Sequence, residues 1–343
     1  MKLPWMTEHL SRTGGTFNPS PTDFFVEEIP LYVPSGNGEH LYIQVEKTDL
    51  TTRSLVQHAV ATFNVSERDV GYAGLKDRNA RTIQTISVLG AKVEDAAQLE
   101  TEQIRVLSAG MHTNKLKVGH LAGNRFKAII RNGESDAAQT ATAILTHLET
   151  HGLANFYGAQ RFGAGGANVE RARTVLRKGP RAAGSRWKAK LLVSALQSHL
   201  FNQYLIQRVK SGHFATVHAG DVLVKVDSGG PFVCDDPAVD QPRYDSFEVS
   251  ISGPIFGRKM RQPGEGTEPA LWESVVMEDA QLTLDDFSKV RKFAAGTRRP
   301  TRVPVQNVQV RENEDCLAVQ FTLRPGSYAT VLMDELIKPD HGP

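Results

Sequence analysis

A glycine-rich segment, Gly71-Tyr-Ala-Gly-Leu-Lys-Asp-Arg-Asn-Ala-Arg-Thr-Ile-Gln84, constrains this chain more than any other part of it. Its glycines permit backbone angles and close contacts that a side chain forbids. A strand pattern follows at once, from Thr82 to Leu89. The segment therefore predicts a loop that presents one carboxylate, Asp77, at the end of a rigid sheet, where catalytic groups are often found.

The charges around Asp77 support two interpretations. Lys76 and Arg78 flank it, and nearby cations favour the ionised form of a carboxyl group. That arrangement suits a poised catalytic anion. The same three charges are also typical of an exposed, solvated turn, because charged turns are common and their ion pairs contribute little. Spacing alone leaves both interpretations open.

Composition sets the broad class of protein. The 343 residues are enough for two domains, and 40% hydrophobic with 23% charged residues is ordinary for a globular chain. The sequence contains no run of eighteen apolar residues, so we expect no transmembrane helix. The first residues do not resemble a secretory signal. Cys234 and Cys316 are too few for a disulfide framework. We expect a cytoplasmic protein with no membrane contact and, since its eleven histidines are scattered, no metal.

Basic residues are concentrated in two stretches although the net charge is only +2. The first stretch covers residues 171–190, with Glu170 as the one acid at its start, and the second covers residues 291–302. If both stretches meet in space, they form a positive face suited to a phosphate backbone. The alternative is ordinary solvated surface.

Periodicity predicts a mixture of strands and helices. Strands are expected over 41–46, 82–89, 126–131 and 316–323, and helices over 51–63, 137–150, 191–209 and 331–337. Because there is no regular βαβ repeat, the order favours an α+β fold with a mainly antiparallel sheet. Breaks in composition near 179–185 and 296–304 suggest that the segment between them is a separate folding unit.

A second segment, Asn155-Phe-Tyr-Gly-Ala-Gln-Arg-Phe-Gly163, alternates aromatic rings with amide and guanidinium groups. Such a set can stack an unpaired base and bond its edge. Arg161 is a candidate phosphate ligand, and Asn155 offers the donor and acceptor that a pyrimidine edge requires. The alternative is a turn whose aromatic rings fill the core.

Four runs resemble one known family. Residues 73–84 resemble the catalytic-loop motif of the TruD family of tRNA pseudouridine synthases, and residues 155–163 resemble that family's asparagine-aromatic-aromatic-glycine motif. Asp23-Phe24-Phe25-Val26-Glu27-Glu28 is similar to its N-terminal run, and residues 323–331 are similar to its closing motif. The four runs occur in the family's order across residues 23–331.

The resemblance implies a fold and an activity. It implies a pseudouridine synthase catalytic domain, residues 1–180 and 303–343, with a mainly antiparallel mixed sheet. An inserted α/β TRUD domain, residues 181–302, would interrupt it. The implied activity is isomerisation of uridine 13 in the D arm of tRNA to pseudouridine, without cofactor or metal, and we expect a monomer that binds tRNA. The alternatives are a non-catalytic tRNA-binding or RNA-folding protein, and the same isomerisation at another RNA position.

The resemblance also assigns site residues. It implies Asp77 as the catalytic carboxylate, Asn155 and Tyr157 in the uridine pocket, Phe24 approaching the active site, and Tyr328 beside the target base. Plain structural alternatives are a buried strand residue for Phe24 and a tyrosine that ends a strand after a Pro-Gly turn for Tyr328.

Two positions depart from the family pattern. Tyr157 stands where the family often has phenylalanine, and Asn18 stands where members usually have a lysine near the catalytic acid. The cation that faces Asp77 is therefore left open, with Lys76, Arg78 and Arg81 as candidates. Lys76 is also expected among the substrate-binding residues.

Overall fold

The computed structural model describes residues 2–313 and 316–339. The remaining positions of the expected catalytic domain, residues 1, 314–315 and 340–343, lie outside the described residues. The strands, in chain order, are β1 Gly14–Thr16, β2 Phe24–Pro30, β3 His40–Thr48, β4 Val70–Tyr72, β5 Arg81–Leu89, β6 Ile104–His112, β7 Leu121–Gly133, β8 Leu153–Ala154, β9 Val222–Lys225, β10 Pro231–Val233, β11 Val249–Ile255, β12 Thr297–Pro300, β13 Arg302–Val303, β14 Val305–Asn313 and β15 Cys316–Leu323.

Seven α-helices of two turns or more are present in the described part of the chain. They are α1 Thr52–Phe63, α2 Ala137–His151, α3 Ala167–Lys178, α4 Arg186–Lys210, α5 Pro237–Asp245, α6 Glu268–Asp279 and α7 Ala329–Ile337. Short 3-10 turns include Glu67–Asp69, Val93–Leu99, Ala159–Phe162, Ala164–Gly166, Pro180–Ala183 and Leu284–Val290.

One large sheet organises the chain, in the order β14-β15-β7-β2-β5-β3-β6, with β1 added to β7 and β4 added to β5. Strands β2 and β5 run parallel, with Phe25 opposite Arg81. Every other strand pair in the described part of the chain is antiparallel. The expected α+β fold with a mainly antiparallel mixed sheet is confirmed.

Most of the predicted elements are present with small changes of length. Helix α1 begins after Thr51, whose hydroxyl accepts a hydrogen bond from the Ser54 main-chain N–H at 3.0 Å. This cap satisfies one of the free amides at the helix start. Helix α4 begins five residues before the predicted 191, because Ser185 caps it by accepting from the Lys188 N–H at 3.1 Å.

Helix α3 was not predicted as a helix, although it lies within and before the first basic stretch. Its buried residues recur at helical spacing and pack against α4; they are Val169, Ala172, Val175 and Leu176. The basic residues hid this pattern, because most of them occupy the opposite, solvated face of an amphipathic helix, while Arg173 is half-buried and donates to the Ala280 oxygen.

Apolar clusters cover the large sheet. Helices α2 and α7 pack on the half formed by β2, β7 and β15, and α4 adds Phe201 and Leu205 to the same core. Helix α1 packs its Leu55, Val56 and Ala59 on the half formed by β3 and β5. The expected catalytic segments therefore share a core with part of α4.

A smaller sheet, in the order β10-β9-β11-β12, lies wholly within residues 181–302. The chain returns to the rest of the molecule where β13 pairs with β8, Arg302 opposite Ala154. A domain boundary at residues 181 and 302 stays a prediction. In the described part of the chain, no helix has both the length and the apolar character needed to cross a bilayer.

Candidate active site

The Asp77 loop joins β4 to β5 and is anchored to α1. The main-chain N–H of Lys76 donates to the Thr52 hydroxyl at 2.9 Å, and the same hydroxyl donates to Gln84 Oε1 at 3.0 Å. One threonine at the start of α1 therefore ties the loop to the strand that follows it. Asp77 itself is exposed, and its carboxylate is open to a substrate.

The close contact expected at Gly71 is present. A Cβ at this position would lie 2.2 Å from the main-chain oxygen of Leu116 and 2.5 Å from Ser87 Oγ. Contacts this short are repulsive, so any side chain would push the loop away from the segment before β7. The glycine thus determines how deeply the Asp77 loop sits against its neighbours.

The three cations proposed to face Asp77 have other partners. Lys76 forms an ion pair with Glu28 at 2.9 Å, and both side chains are almost fully buried. Arg78 pairs with Asp49 at the surface, and the guanidinium of Arg81 lies 5.1 Å from the centre of the Phe25 ring. Lys76 could reach a substrate only by breaking its buried pair with Glu28, so its expected substrate contact stays a prediction.

A fourth cation, Lys47, lies behind the loop. Its ammonium group donates to the main-chain oxygen of Leu50 and, at 3.4 Å, to that of Asp77. The residue is completely buried at the end of β3. Burial lowers the pKa of Lys47 to about 8, the charge of Asp77 opposes that shift, and Lys76 adds to it.

The second wall of the site is built around the Tyr157 ring. The Asn202 amide, on α4, accepts from the Tyr157 main-chain N–H and donates to its carbonyl oxygen, both at 2.9 Å. The ring lies 5.6 Å from that of Phe201 and 5.8 Å from that of Tyr328, edge to face in both cases. Tyr157 is therefore held rigidly, while Phe156 beside it is buried in the core.

Arg299, on β12, joins this wall from a distant part of the sequence. Its guanidinium lies 4.1 Å from the centre of the Tyr157 ring and donates to Asn155 Oδ1 at 2.6 Å and to the Gly326 oxygen at 3.0 Å. Among the residues the structure describes, it has no carboxylate at ion-pair distance. Burial lowers the pKa of Arg299, and the hydroxyl groups of Tyr157 and Tyr328 oppose this.

Asn155 uses both ends of its amide within the protein. Its Oδ1 accepts from Arg299, and its Nδ2 donates to the Pro300 oxygen at 2.9 Å. The residue is 5% exposed. Its role at a pyrimidine edge stays a prediction, and in the described conformation Asn155 orients Arg299.

Tyr328 belongs to the second wall and stands directly before α7. Burial raises the pKa of Tyr328; the cations Arg161 and Arg299 oppose this shift, while the charge of Asp77 adds to it. The structure brings four of the predicted positions together around the Tyr157 ring, namely Asn155, Tyr157, Arg161 and Tyr328. That Asp77 acts on the same substrate as this wall stays a prediction.

Phe24 lies in the core of the large sheet, and Asn18 lies beside helix α7. The Phe24 ring stacks on that of Phe126 at 6.0 Å and meets that of Phe17 edge to face at 5.3 Å. At 6% exposure it is part of the core of the large sheet, and its contact with a substrate stays a prediction. Asn18 lines a separate cavity of about 330 Å³ against Met333 of α7.

Arg161 lies beside Tyr157 and is held by helix α4. Arg161 donates to the hydroxyls of Ser194 and Ser198, and its guanidinium lies 5.8 Å from the centre of the Tyr157 ring. Lys289, just before the second basic stretch, donates to the main-chain oxygen of Arg177 in the first stretch. A phosphate role for Arg161 stays a prediction.

Sequence analysis missed Lys47, Arg299 and Asn202. Lys47 left a signal, since it continues the inward phase of Leu41, Ile43 and Val45 along a predicted strand. Arg299 was counted only as one of several surface charges, and nothing in the local pattern distinguishes it from Arg298. In the described residues, no group of three or more His, Cys, Asp or Glu side chains is placed to hold a metal ion.

This chain is similar to known proteins over almost its whole length. The sequence profile of the family described as "tRNA pseudouridine synthase D (TruD)" matches residues 2–186 and 182–336. A protein of Anaeromyxobacter sp. (strain Fw109-5) named tRNA pseudouridine synthase D is 44% identical over 340 residues, covering 98% of this chain and 96% of the relative. A protein of the same name from Thermus thermophilus is 39% identical over 339 residues, covering 98% and 92%.

A solved structure shows the same fold. The crystal structure titled putative tRNA pseudouridine synthase D (TruD) from Methanosarcina mazei superposes with a TM-score of 0.80 over 99% of both chains, at 19% sequence identity. The resemblance drawn from the four sequence runs is confirmed. The chain belongs to the TruD family of tRNA pseudouridine synthases.

Proposed function

We propose that the protein converts uridine 13 in the D arm of tRNA to pseudouridine, with Asp77 as the catalytic carboxylate. Family membership supports a tRNA pseudouridine synthase. The observation that carries the role of Asp77 is its position: it is exposed on a loop that the Thr52 hydroxyl ties to α1 and to β5.

The reaction balances within one nucleotide. The bond between N1 of uracil and C1′ of the ribose breaks, and a bond between C5 and the same C1′ forms. The proton on C5 is lost, and N1 gains one. The reaction exchanges no electrons with another molecule. Its main requirement is an ionised carboxylate near the sugar and base, which acts either as a nucleophile at the ring or sugar or as a base.

The second wall offers aromatic faces on which an extruded base can stack. The Tyr157 and Tyr328 rings contact each other edge to face, 5.8 Å apart and inclined by 65°, so a base would stack on this pair rather than between its two rings. Arg299 behind Tyr157 and Arg161 beside it bring positive charge to the place where the nucleotide's phosphates pass.

The test is to incubate the protein with unmodified tRNA transcripts and to map pseudouridine at nucleotide resolution. We expect modification at nucleotide 13 alone, and none in a matched transcript in which cytidine replaces that uridine. Modification at another nucleotide would overturn the position but leave the reaction. Tight tRNA binding without any pseudouridine would identify a non-catalytic RNA-binding protein instead.

A further inference from the structure

Lys47 is a buried cation that the fold alone does not explain. It is fully inaccessible to solvent, and removing an ammonium group from water is costly unless an opposite charge compensates. In the described part of the chain, no carboxylate lies within ion-pair distance of it. Lys76, the buried lysine nearest in sequence to Asp77, does have such a partner in Glu28.

The contacts of Lys47 converge on the Asp77 loop. An ammonium group has three donors and no acceptor. Those of Lys47 go to the main-chain oxygens of Leu50, just before α1, and of Asp77 itself. The ammonium group thus joins the segment before α1 to the Asp77 loop. It lies at the backbone of Asp77, the residue to which we assign the reaction.

Few charges surround this ammonium group. Asp77 raises the pKa of Lys47, and Lys76 lowers it. The residues opposite Lys47 on the neighbouring strands, Thr82 on β5 and Ile104 on β6, are uncharged. The start of α1 presents Thr52 to the loop. Among the described groups, Asp77 is therefore the anion whose charge favours protonated Lys47.

We propose that Lys47 is the positioning cation of Asp77: it fixes the Asp77 backbone from below and places a positive charge behind the loop that carries the carboxylate. This rests on the proposed function of Asp77. With this proposal, the positive charge that Asn18 cannot supply comes from β3. The proposal also agrees with the contacts of Lys76, Arg78 and Arg81, which are made with other groups. Lys47 does not touch the substrate, because Asp77 and its loop cover it.

The first test compares two variants that each remove a buried lysine. Lys47→Met should lower kcat by on the order of 10²-fold, as loss of one preorganised electrostatic group does, and leave the Kd for tRNA within about twofold. Lys338→Met is the matched control, because Lys338 is also buried and donates to main-chain oxygens, those of Thr7, Leu10 and Ser11. It should keep kcat near wild type. Equal kcat losses in both variants would reduce Lys47 to a structural residue.

The second test is the pH profile. Because the pKa of Lys47 lies at about 8, its charge disappears as pH rises through that value, and wild-type kcat should fall there. Lys47→Met should have a low kcat without this decline. If the same decline persists in Lys47→Met, Lys47 is not its cause and the proposal is overturned.

A third measurement does not require an active or stable Lys47 variant. Because Asp77 raises the pKa of Lys47, Asp77→Asn should lower it, as linkage requires. The Cε resonance of ¹³C-labelled Lys47 can be titrated by NMR in both proteins; an unchanged pKa would overturn the proposal. If Asp77→Asn remains active, the proposed function fails. If Asp77→Asn is inactive while Lys47→Met turns over normally, only the role of Lys47 fails.

Discussion

The two walls of the candidate site are built in different ways. The Asp77 wall comes from one stretch of chain, β3 to β5, and its parts lie within about fifty residues. The Tyr157 wall combines side chains from four distant segments: Asn155, Asn202 on α4, Arg299 on β12, and Tyr328 before α7. The first wall is made of residues that are close in sequence. The second forms only because the smaller sheet, which carries Arg299 on β12, packs beside the larger one.

Both walls contain a cation that donates to main-chain oxygens rather than to a carboxylate. Lys47, which is buried, donates to Leu50 and Asp77, and the half-buried Arg299 donates to Asn155 and Gly326. By contrast, Arg208 in the segment 181–302 forms a buried two-pronged pair with Asp221, with distances of 2.6 and 2.7 Å. The comparison teaches that each wall holds one cation without a carboxylate partner, whereas Arg208 is neutralised by its aspartate.

The largest expected effect is on the Asp77 wall. Asp77→Asn removes the charge with little change of volume, so kcat should fall by at least roughly 10⁴-fold, as loss of a central catalytic group does. tRNA affinity, measured by filter binding, should stay within a few-fold of wild type. Asp279→Asn, an exposed aspartate at the end of α6, is the control. Turnover near wild type in Asp77→Asn would remove this wall from the chemistry.

The next effect is on the Tyr157 wall. Arg299→Met removes the donors to Asn155 and Gly326, and hydrogen bonds from charged groups contribute about 1.5–3 kcal/mol each. We expect kcat/KM to fall roughly 10- to 100-fold, the equivalent of one such bond. Arg311→Met, at an exposed position of β14, should change it little. An unaffected Arg299→Met enzyme would show that the second wall needs no such cation.

The stability cost of the Lys47 charge gives a third test. The pKa of Lys47 is about 8 in the folded protein and 10.5 in an ordinary lysine. Between these values the unfolded chain binds more protons, so wild-type stability should rise with pH through this window. Relative to Lys47→Met, the free energy of unfolding should gain up to about 3 kcal/mol between pH 7 and 10.5. Urea melts across that range measure it, and a flat difference would mean that Lys47 is not desolvated.

The smallest effect concerns the departure from the family pattern at Tyr157. Tyr157→Phe keeps the ring against Arg299, whose guanidinium lies 4.1 Å from its centre, and loses only the hydroxyl. We expect kcat/KM to change by less than about threefold, because cation–π attraction depends on the ring face. Tyr157→Leu, which keeps apolar volume without the ring, is the contrast and should be clearly impaired. Equal losses in both would assign the function to the hydroxyl.

Local patterns predicted the elements that carry the site but not all of its contacts. The capped start of α1 and the strand β5 follow from side-chain periodicity, which depends only on neighbours in sequence. Asn155 was recognised as a site position, yet its amide partners, Arg299 and Pro300, lie about 145 residues away along the chain. No periodicity or motif encodes a pairing over that separation.

By itself, the sequence determined the family, the α+β class and the carboxylate on its glycine-rich loop, because these depend on short runs of residues in a fixed order. Only the tertiary structure decided which cation lies at the Asp77 backbone. Lys76 and Arg78 are adjacent to it in sequence but find Glu28 and Asp49. Lys47, thirty residues earlier, reaches its backbone because β3 and β5 pair side by side. The interaction between two charged groups depends on their distance in space, and the pairing of β3 with β5 sets that distance for Lys47 and Asp77.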